Sequence, residues 1–223
     1  MKYVLTLTKN QFAIITKAIS QYHEIRDNNW ENFLDNVVQG NESINREQIL
    51  HKLECAMTEA LGGAVTENNT MKTVRDLELH AENMRSEDNE YIWKLSKEQA
   101  KMLQNVLEEY FRLRLNQWFD FTTEIAANGY IYDNTDPDNN VKFNSYINRR
   151  NKSLDDFKRI MAEIFSCRLY KTEDMMIAED IWQVLRHQLY LDDGGNPNGI
   201  VTASRKPFQI SLEPLPKIQI IER

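Results

Sequence analysis

The chain has 223 residues, of which 41% are hydrophobic and 27% are charged, and its formal net charge is −7. This length and apolar content allow a sizeable core, in one large domain or in two small ones. The acidic balance disfavours nonspecific binding to nucleic acid or to an anionic membrane. No apolar run approaches the roughly 20 residues that span a bilayer, and the N-terminus lacks the basic and apolar regions of a signal peptide.

One stretch of sequence occurs twice. Residues 3–33 and 91–121 align at an offset of 88 positions with nine identical residues, and most other apolar positions are exchanged like for like. The identical pairs are Tyr3/Tyr91, Leu7/Leu95, Lys9/Lys97, Gln11/Gln99, Tyr22/Tyr110, Arg26/Arg114, Asn28/Asn116, Trp30/Trp118 and Phe33/Phe121. An internal repeat of this kind predicts two intimately packed halves.

Each copy opens with alternating apolar residues, which predict strands at Tyr3–Leu7 and Tyr91–Leu95. A capping box follows, in which a hydroxyl accepts from the backbone N–H three residues on and a Gln side chain reaches back. The two predicted boxes are Thr8 with Gln11 and Ser96 with Gln99. A long amphipathic helix then runs to Phe33 in the first copy and to Phe121 in the second.

Further helices complete each half as strand, long helix, helix, helix. In chain order they are predicted over about Asn45–Leu61, Met71–Met84, Ser153–Arg168 and Glu173–Tyr190. Ala127–Lys142 is predicted to be a polar loop, and Asp192–Gly199 a turn. Phe208–Ile210 and Ile218–Ile220 are short strand candidates that could pair with the repeat strands.

These elements predict a mainly α fold: two pseudo-twofold strand–helix–helix–helix repeats and a small β-sheet that includes the C-terminal tail. The first repeat covers residues 1–88 and the second covers residues 89–192. Residues 193–223 form an extended tail that packs on both, so the prediction is one compact unit overall.

A duplicated row of tyrosine, arginine and tryptophan, spaced by four, is the sharpest candidate site. Its members are Tyr22, Arg26 and Trp30 in the first copy and Tyr110, Arg114 and Trp118 in the second. Facing rows could bind a small, planar, anionic ligand such as a nucleotide, because arginine contacts phosphates and aromatic rings stack on bases. The alternative, which we favour, is that each arginine pairs with a core carboxylate and fixes the packing.

Arg186 and His187 lie together in the last predicted helix and are a second candidate pair. They could contribute to a ligand site or, in an enzyme acting on nucleotides, to catalysis. We favour an ordinary helix-surface or core role because His187 has no motif partner. The enzymatic role predicts ligand turnover that is lost in a His187→Ala variant.

Metal, cofactor and hydrolase motifs are missing from the sequence, so neither a metal nor a cofactor is expected. The acidic segment near Asp136 fails as a calcium loop, since Val141 stands where an EF-hand requires glycine and Ile147 where it requires glutamate. The histidines share no metal-ligand spacing. Cys55 and Cys167 lie in helical patterns and are predicted to be reduced core thiols.

Three motifs resemble an uncharacterised family of small proteins encoded by tailed bacteriophages. They are T-x-x-Q at Thr8–Gln11, the I-A-x-D-I-W-x-V-L-R-H-Q-L helix at Ile177–Leu189 and E-P-L-P-K-I at Glu213–Ile218. The resemblance implies a protein of the infected host bacterial cytoplasm. It implies no chemistry.

We therefore expect a non-enzymatic phage accessory protein that binds a host protein or sequesters a small anionic, nucleotide-like ligand, in order to counter host defence. Direct contact with nucleic acid or membrane is not expected. Two other classes stay open: a nucleotide-processing enzyme that uses Arg186 and His187, and a virion or assembly protein.

Overall fold

The computed structural model describes residues 2–27, 29–37, 45–61, 69–82, 86–87, 90–127, 135, 137–165, 172–195 and 205–222. Within them the chain is mainly helical with a small antiparallel sheet, which confirms the predicted fold class. In chain order the elements are β1 (Lys2–Thr8), α1 (Lys9–Arg26), α2 (Trp30–Val37), α3 (Arg46–Leu61), α4 (Asn69–Glu82), β2 (Ser86–Glu87), β3 (Glu90–Ser96), α5 (Lys97–Arg114), α6 (Phe119–Ala126), α7 (Asn139–Phe165), α8 (Glu173–Asp192) and β4 (Lys217–Glu222). The pseudo-twofold relation between the two copies stays a prediction.

The chain forms two compact units. Unit 1 consists of Met1–His23, Asn68–Phe111 and Lys171–Arg223, and unit 2 consists of Glu24–Glu67 and Arg112–Tyr170. The division falls after His23 in α1 and after Phe111 in α5, which are equivalent positions at the offset of 88. Each unit therefore contains part of both sequence copies. The predicted boundaries at residues 88 and 192, and the packing of the halves into one compact unit, stay predictions.

The sheet lies in unit 1 and has the strand order β2-β3-β1-β4. β1 pairs with β3 on one side and with β4 on the other, both antiparallel. Alternate residues of β1 are buried, as the period of two in a strand requires, and Leu5 lies opposite Trp93 in the register with β3. The C-terminal tail joins the sheet through β4, as predicted.

The other strand predicted in the tail, Phe208–Ile210, is irregular. Its backbone groups bond to side chains of α8 instead of to a neighbouring strand. The N–H of Phe208 donates to the Gln183 side chain at 3.3 Å, and the N–H of Ile210 donates to Asp180 at 2.9 Å. Donors that are satisfied by side chains need no strand partner.

Both predicted capping boxes are present. In the first, the Gln11 N–H donates to the Thr8 hydroxyl at 3.2 Å, and the Thr8 N–H donates to the Gln11 amide oxygen at 2.9 Å. The second repeats these distances of 3.2 and 2.9 Å between Ser96 and Gln99. The helices α1 and α5 therefore begin at equivalent positions for the same reason.

The predicted apolar stripes that run to Phe33 and Phe121 are each divided between two helices. The first stripe belongs to α1 and α2, and the second belongs to α5 and α6. The prediction of one continuous long helix per copy is therefore wrong. Among the described residues, four helices follow the strand in each half, where three were predicted.

Asparagine ends the second long helix. Asn116 has a φ of 58°, and the Gln117 N–H donates to the carbonyl of Arg112 at 2.9 Å. This is the Schellman stop, with asparagine in the left-handed position that glycine usually takes. In the first copy, the Asn29 N–H makes the equivalent bond to the Glu24 carbonyl at 2.7 Å.

α7 is longer than predicted because it begins at Asn139 and not at Ser153. Ser153 is buried inside the helix, and its hydroxyl donates to the Arg149 carbonyl one turn earlier at 2.8 Å. A serine that bonds back in this way does not cap a helix. The remaining predicted helices are confirmed as α3, α4 and α8, and Thr172 caps α8 by accepting from the Met175 N–H at 3.3 Å.

The core of unit 2 is aromatic. Trp30 and Trp118, which are equivalent in the repeat, both pack against Phe157 of α7. Each also meets the phenylalanine three residues further on, Phe33 or Phe121, edge to face at 5.5 Å between ring centroids. These edge-to-face pairs add to the stability that burial supplies.

Candidate functional site

The arginine of the first predicted row forms an ion pair within unit 2. Arg26 Nη2 lies 2.7 Å from Glu124 Oε2, and the exposed fractions of the two side chains are 6% and 44%. The guanidinium also lies 5.7 Å from the centre of the Phe121 ring. The position equivalent to Glu124 in the first copy is Asn36, so this acidic partner is not duplicated. These two contacts support a packing role for Arg26.

The structure divides the eight predicted site residues between the two units. Unit 2 contains Arg26, Trp30, Arg114 and Trp118, and unit 1 contains Tyr22, Tyr110, Arg186 and His187. The two tryptophans and the two tyrosines are buried in the cores. The Tyr–Arg–Trp rows are also not continuous, since each tryptophan follows the break between two helices.

Arg186 lies over an indole in unit 1. Its guanidinium carbon is 4.3 Å from the centre of the Trp182 ring, and the Trp182 N–H donates to Glu108 at 3.2 Å. Burial lowers the pKa of Arg186, and the positive charge of Arg205 lowers it further while Glu108 opposes the shift. The neighbouring His187 stacks on Tyr190 at 6.4 Å. The Arg186 guanidinium is therefore stacked on an indole of its own helix, α8.

A groove lined by charged side chains, a histidine and a cysteine lies between α3 and α7 in unit 2. Its volume is about 310 Å³. From α3 come His51, Lys52, Cys55, Ala56 and Glu59, and from α7 come Asp156, Arg159, Ile160 and Glu163. Ala56 and Ile160 are buried and form an apolar floor, whereas the charged side chains stand at the rim.

Three ion pairs line this groove. Lys52 Nζ lies 2.9 and 2.6 Å from the two carboxylate oxygens of Glu163, which joins α3 to α7. Lys152 pairs with Glu59 across the same helices, and Arg159 pairs with Asp156 along α7. Exposed ion pairs of this kind are worth only about 0–1 kcal/mol. A ligand could therefore replace one partner at a small free-energy cost.

Cys55 opens onto the groove with a histidine beside it. The Sγ atom of Cys55 lies 3.8 Å from Nε2 and 4.0 Å from Nδ1 of His51, one helical turn earlier. Cys55 is exposed, so its prediction as a core thiol is wrong. The buried face of α3 runs through Ile49 and Leu53, and Cys55 lies to the side of it. Cys167 lies outside the described residues.

The sequence carried a signal for this pair. His51 and Cys55 are spaced by four, so one helix face presents both. Neither belongs to the apolar row of α3, which places both towards solvent. The α7 wall of the groove had no such signal, because the packing of α3 against α7 is not specified by a pattern within either helix.

No arrangement that would hold a metal, with three or more His, Cys, Asp or Glu side chains, occurs in the part of the chain that the structure describes. Among the same residues, every helix is too short or too polar to cross a bilayer. The lining of the groove supplies charged side chains, an imidazole and a thiol.

The residues that carry the phage resemblance lie in unit 1, where the C-terminal tail contacts α1 and α8. Glu213 accepts from the Thr8 hydroxyl at 2.7 Å, and the Gln11 side chain donates to the next carbonyl of the tail at 2.5 Å. The buried carboxylate of Asp180 accepts from the N–H and the hydroxyl of Ser211 at 2.9 and 2.7 Å. All three motifs thus hold the tail against α1 and α8, which is a structural role.

Comparison with known proteins adds no family. The chain matches no protein-family model, no curated protein and no solved structure. The phage resemblance stays a prediction.

Proposed function

We propose that this chain is a non-enzymatic binding protein whose α3–α7 groove takes a small zwitterionic ligand. Such a ligand carries carboxylate and ammonium groups on a short carbon frame, as amino acids and small peptides do. The observation that supports this proposal is the presence of both signs of charge on both walls above an apolar floor.

The charge of the lining argues against a polyanion. Lys52 and Arg159 are cationic, Glu59, Asp156 and Glu163 are anionic, and Lys152 pairs with Glu59 beside the groove, so the three ion pairs leave no excess of positive charge. The phosphate of a nucleotide would therefore find no excess of positive charge to bind it. We therefore propose a zwitterion for the groove, and the small anionic ligand expected at the arginine rows stays a separate prediction.

Binding would exchange ion pairs without leaving a charge unpaired. A ligand carboxylate takes the place of Glu163 on Lys52, and a ligand ammonium takes the place of Lys52 on Glu163. One ion pair within the protein is replaced by two between the protein and the ligand, each worth up to about 1 kcal/mol, and apolar contact with Ala56 and Ile160 adds to this gain. Apolar burial supplies roughly 25 cal/mol per Å².

In the setting that the phage resemblance implies, such a protein would act by withdrawing a small host molecule. The enzyme class that uses Arg186 and His187 receives no support from the stacked position of Arg186 over Trp182. A virion or assembly role predicts one fixed stoichiometry in purified particles.

The test is a binding titration followed by NMR amide shifts, with glycylglycine and reduced glutathione as zwitterionic probes and AMP as the polyanionic comparison. The proposal predicts saturable shifts in α3 and α7 for the two peptides. Shifts caused by AMP alone, or shifts confined to the neighbourhood of Arg186, would overturn it.

Neutralising one ion pair makes the test specific. A double variant, Lys52→Gln with Glu163→Gln, removes both charges, so neither side chain is left with an unpaired charge. We expect it to weaken peptide binding about tenfold, or about 1.4 kcal/mol. The matched control is Lys17→Gln with Asp174→Asn in unit 1. That pair is 2.9 Å apart and 36% and 44% exposed, against 35% and 43% for Lys52 and Glu163.

A further inference from the structure

We propose that Cys55 is a thiol–disulfide exchange site that reacts with the disulfide of a small, carboxylate-bearing thiol of the glutathione class and forms a mixed disulfide with it. The inference rests on the proposed function, since the groove must first hold the zwitterionic part of the molecule. It adds a covalent reaction of Cys55, which noncovalent binding of the ligand does not require.

The position of Cys55 in the cavity supports this step. Its thiol lines the groove and is exposed, so a small disulfide can reach it. His51 lies 3.8 Å from Sγ on the same face of α3. The reactive form of cysteine is the thiolate, and a neighbouring imidazole can accept the thiol proton. The groove thus combines a nucleophile, a base and a ligand cavity.

The charged side chains at the rim of the groove determine which class of thiol compound binds there. Lys52 is one residue after His51 and lies in the same lining, where it can bind a carboxylate of the incoming molecule. Arg159 on α7 offers a second cation, and Glu163 can take an ammonium group. Glutathione has two carboxylates and one ammonium group around its thiol. An uncharged thiol would gain none of these contacts.

The reaction balances without a further oxidant. His51 takes the proton of the Cys55 thiol, and the thiolate sulfur attacks one sulfur of oxidised glutathione. A bond forms between Sγ of Cys55 and that sulfur while the original sulfur–sulfur bond breaks. The released glutathione thiolate takes the proton from the imidazolium and leaves as a free thiol.

The experiment follows the intact mass of the full chain after addition of oxidised glutathione, with bis(2-hydroxyethyl) disulfide as the uncharged comparison. We expect one glutathionyl group per chain, a rate that saturates with glutathione disulfide, and at least about a tenfold advantage over the uncharged disulfide at equal concentration. The modification disappears in Cys55→Ser and persists in Cys167→Ser.

Histidine variants test the base. His51→Gln slows exchange with both disulfides by at least about tenfold, because the proton acceptor is lost. His80→Gln on α4 of unit 1 is the matched control and leaves both rates unchanged. Equal rates for the parent chain and the His51 variant would overturn the inference.

The inference and the proposed function fail in different ways. Reduced glutathione that binds the Cys55→Ser variant, combined with an unmodified parent chain, would overturn the exchange site and leave the binding groove intact. Equal, unsaturated rates with the charged and the uncharged disulfide would remove the charge recognition on which both proposals depend.

Discussion

The indole of Trp118 lies flat against the ring of Phe157, with centroids 4.9 Å apart and planes inclined by only 3°. Trp30, the equivalent residue of the first copy, approaches the same phenylalanine at 5.8 Å. One residue of α7 therefore receives both repeated tryptophans. Because Phe157 is completely buried, the packing of unit 2 depends on it.

Replacing Phe157 should strongly destabilise unit 2. We expect Phe157→Ala to lower the free energy of unfolding by about 3–5 kcal/mol, because a cavity opens between the two indoles. Urea denaturation followed by circular dichroism measures the change. The matched control is Phe143→Ala on the same helix, whose ring is 40% exposed, with an expected loss below about 1 kcal/mol. Comparable losses for the two variants would contradict this account of the core.

The ion pair of Arg26 with Glu124 predicts an asymmetric pair of single variants. Glu124→Ala should cost about 1–3 kcal/mol, because a mostly buried guanidinium loses this carboxylate. Arg26→Met should cost less, since Glu124 is 44% exposed and stays hydrated. In the double variant, Arg26→Met with Glu124→Ala, most of the loss should be recovered. Additive losses in this cycle would mean that the two side chains are not coupled.

The tail should loosen when Asp180 is removed. Asp180→Ala leaves the N–H groups of Ile210 and Ser211 without their acceptor, and we expect their hydrogen-exchange protection to fall by about a hundredfold. The control is Glu173→Gln, which keeps an amide oxygen for the exposed N–H of Leu212. Unchanged hydrogen-exchange protection in Asp180→Ala would show that the hydrogen bonds of Asp180 do not hold the tail in place.

Tyr3 should make the chain sensitive to alkali. Burial raises the pKa of Tyr3, and a hydrogen bond to Asp192 raises it further. A folded-state pKa above the unfolded value gives stability that is complete below the unfolded pKa of about 10 and is lost as pH rises through the folded pKa. Above pH 10 the stability of the parent chain should fall more steeply than that of Tyr3→Phe, by about 1.4 kcal/mol per pH unit. Parallel pH profiles of the two proteins would contradict this role.

Local rules predicted the beginnings of elements better than their ends. The capping boxes at Thr8 and Ser96 need only residues three positions apart, and both were predicted correctly. The stop at Asn116 needs a left-handed backbone that asparagine adopts less readily than glycine, so the apolar stripe appeared continuous there. Ser153 was misleading because a serine inside a helix and a capping serine look the same in sequence.

The groove could be only half predicted from sequence. The spacing of His51 and Cys55 on α3 is a local property, readable without a structure. The wall that Asp156, Arg159 and Glu163 supply depends on the packing of α3 against α7, which no pattern in either helix specifies. The arginine rows were the stronger sequence signal, but an arginine on an apolar row is also explained by an ion pair such as that of Arg26 with the partly exposed Glu124.

The measurement that tests the groove most directly is calorimetric titration of reduced glutathione into the Cys55→Ser variant, with and without Lys52→Gln and Glu163→Gln. We predict saturable binding at one molecule per chain, weakened about tenfold when both charges are removed and unchanged when Lys17→Gln and Asp174→Asn are added instead. Binding that is indifferent to Lys52 and Glu163, or tighter binding of AMP than of glutathione under the same conditions, would contradict the account.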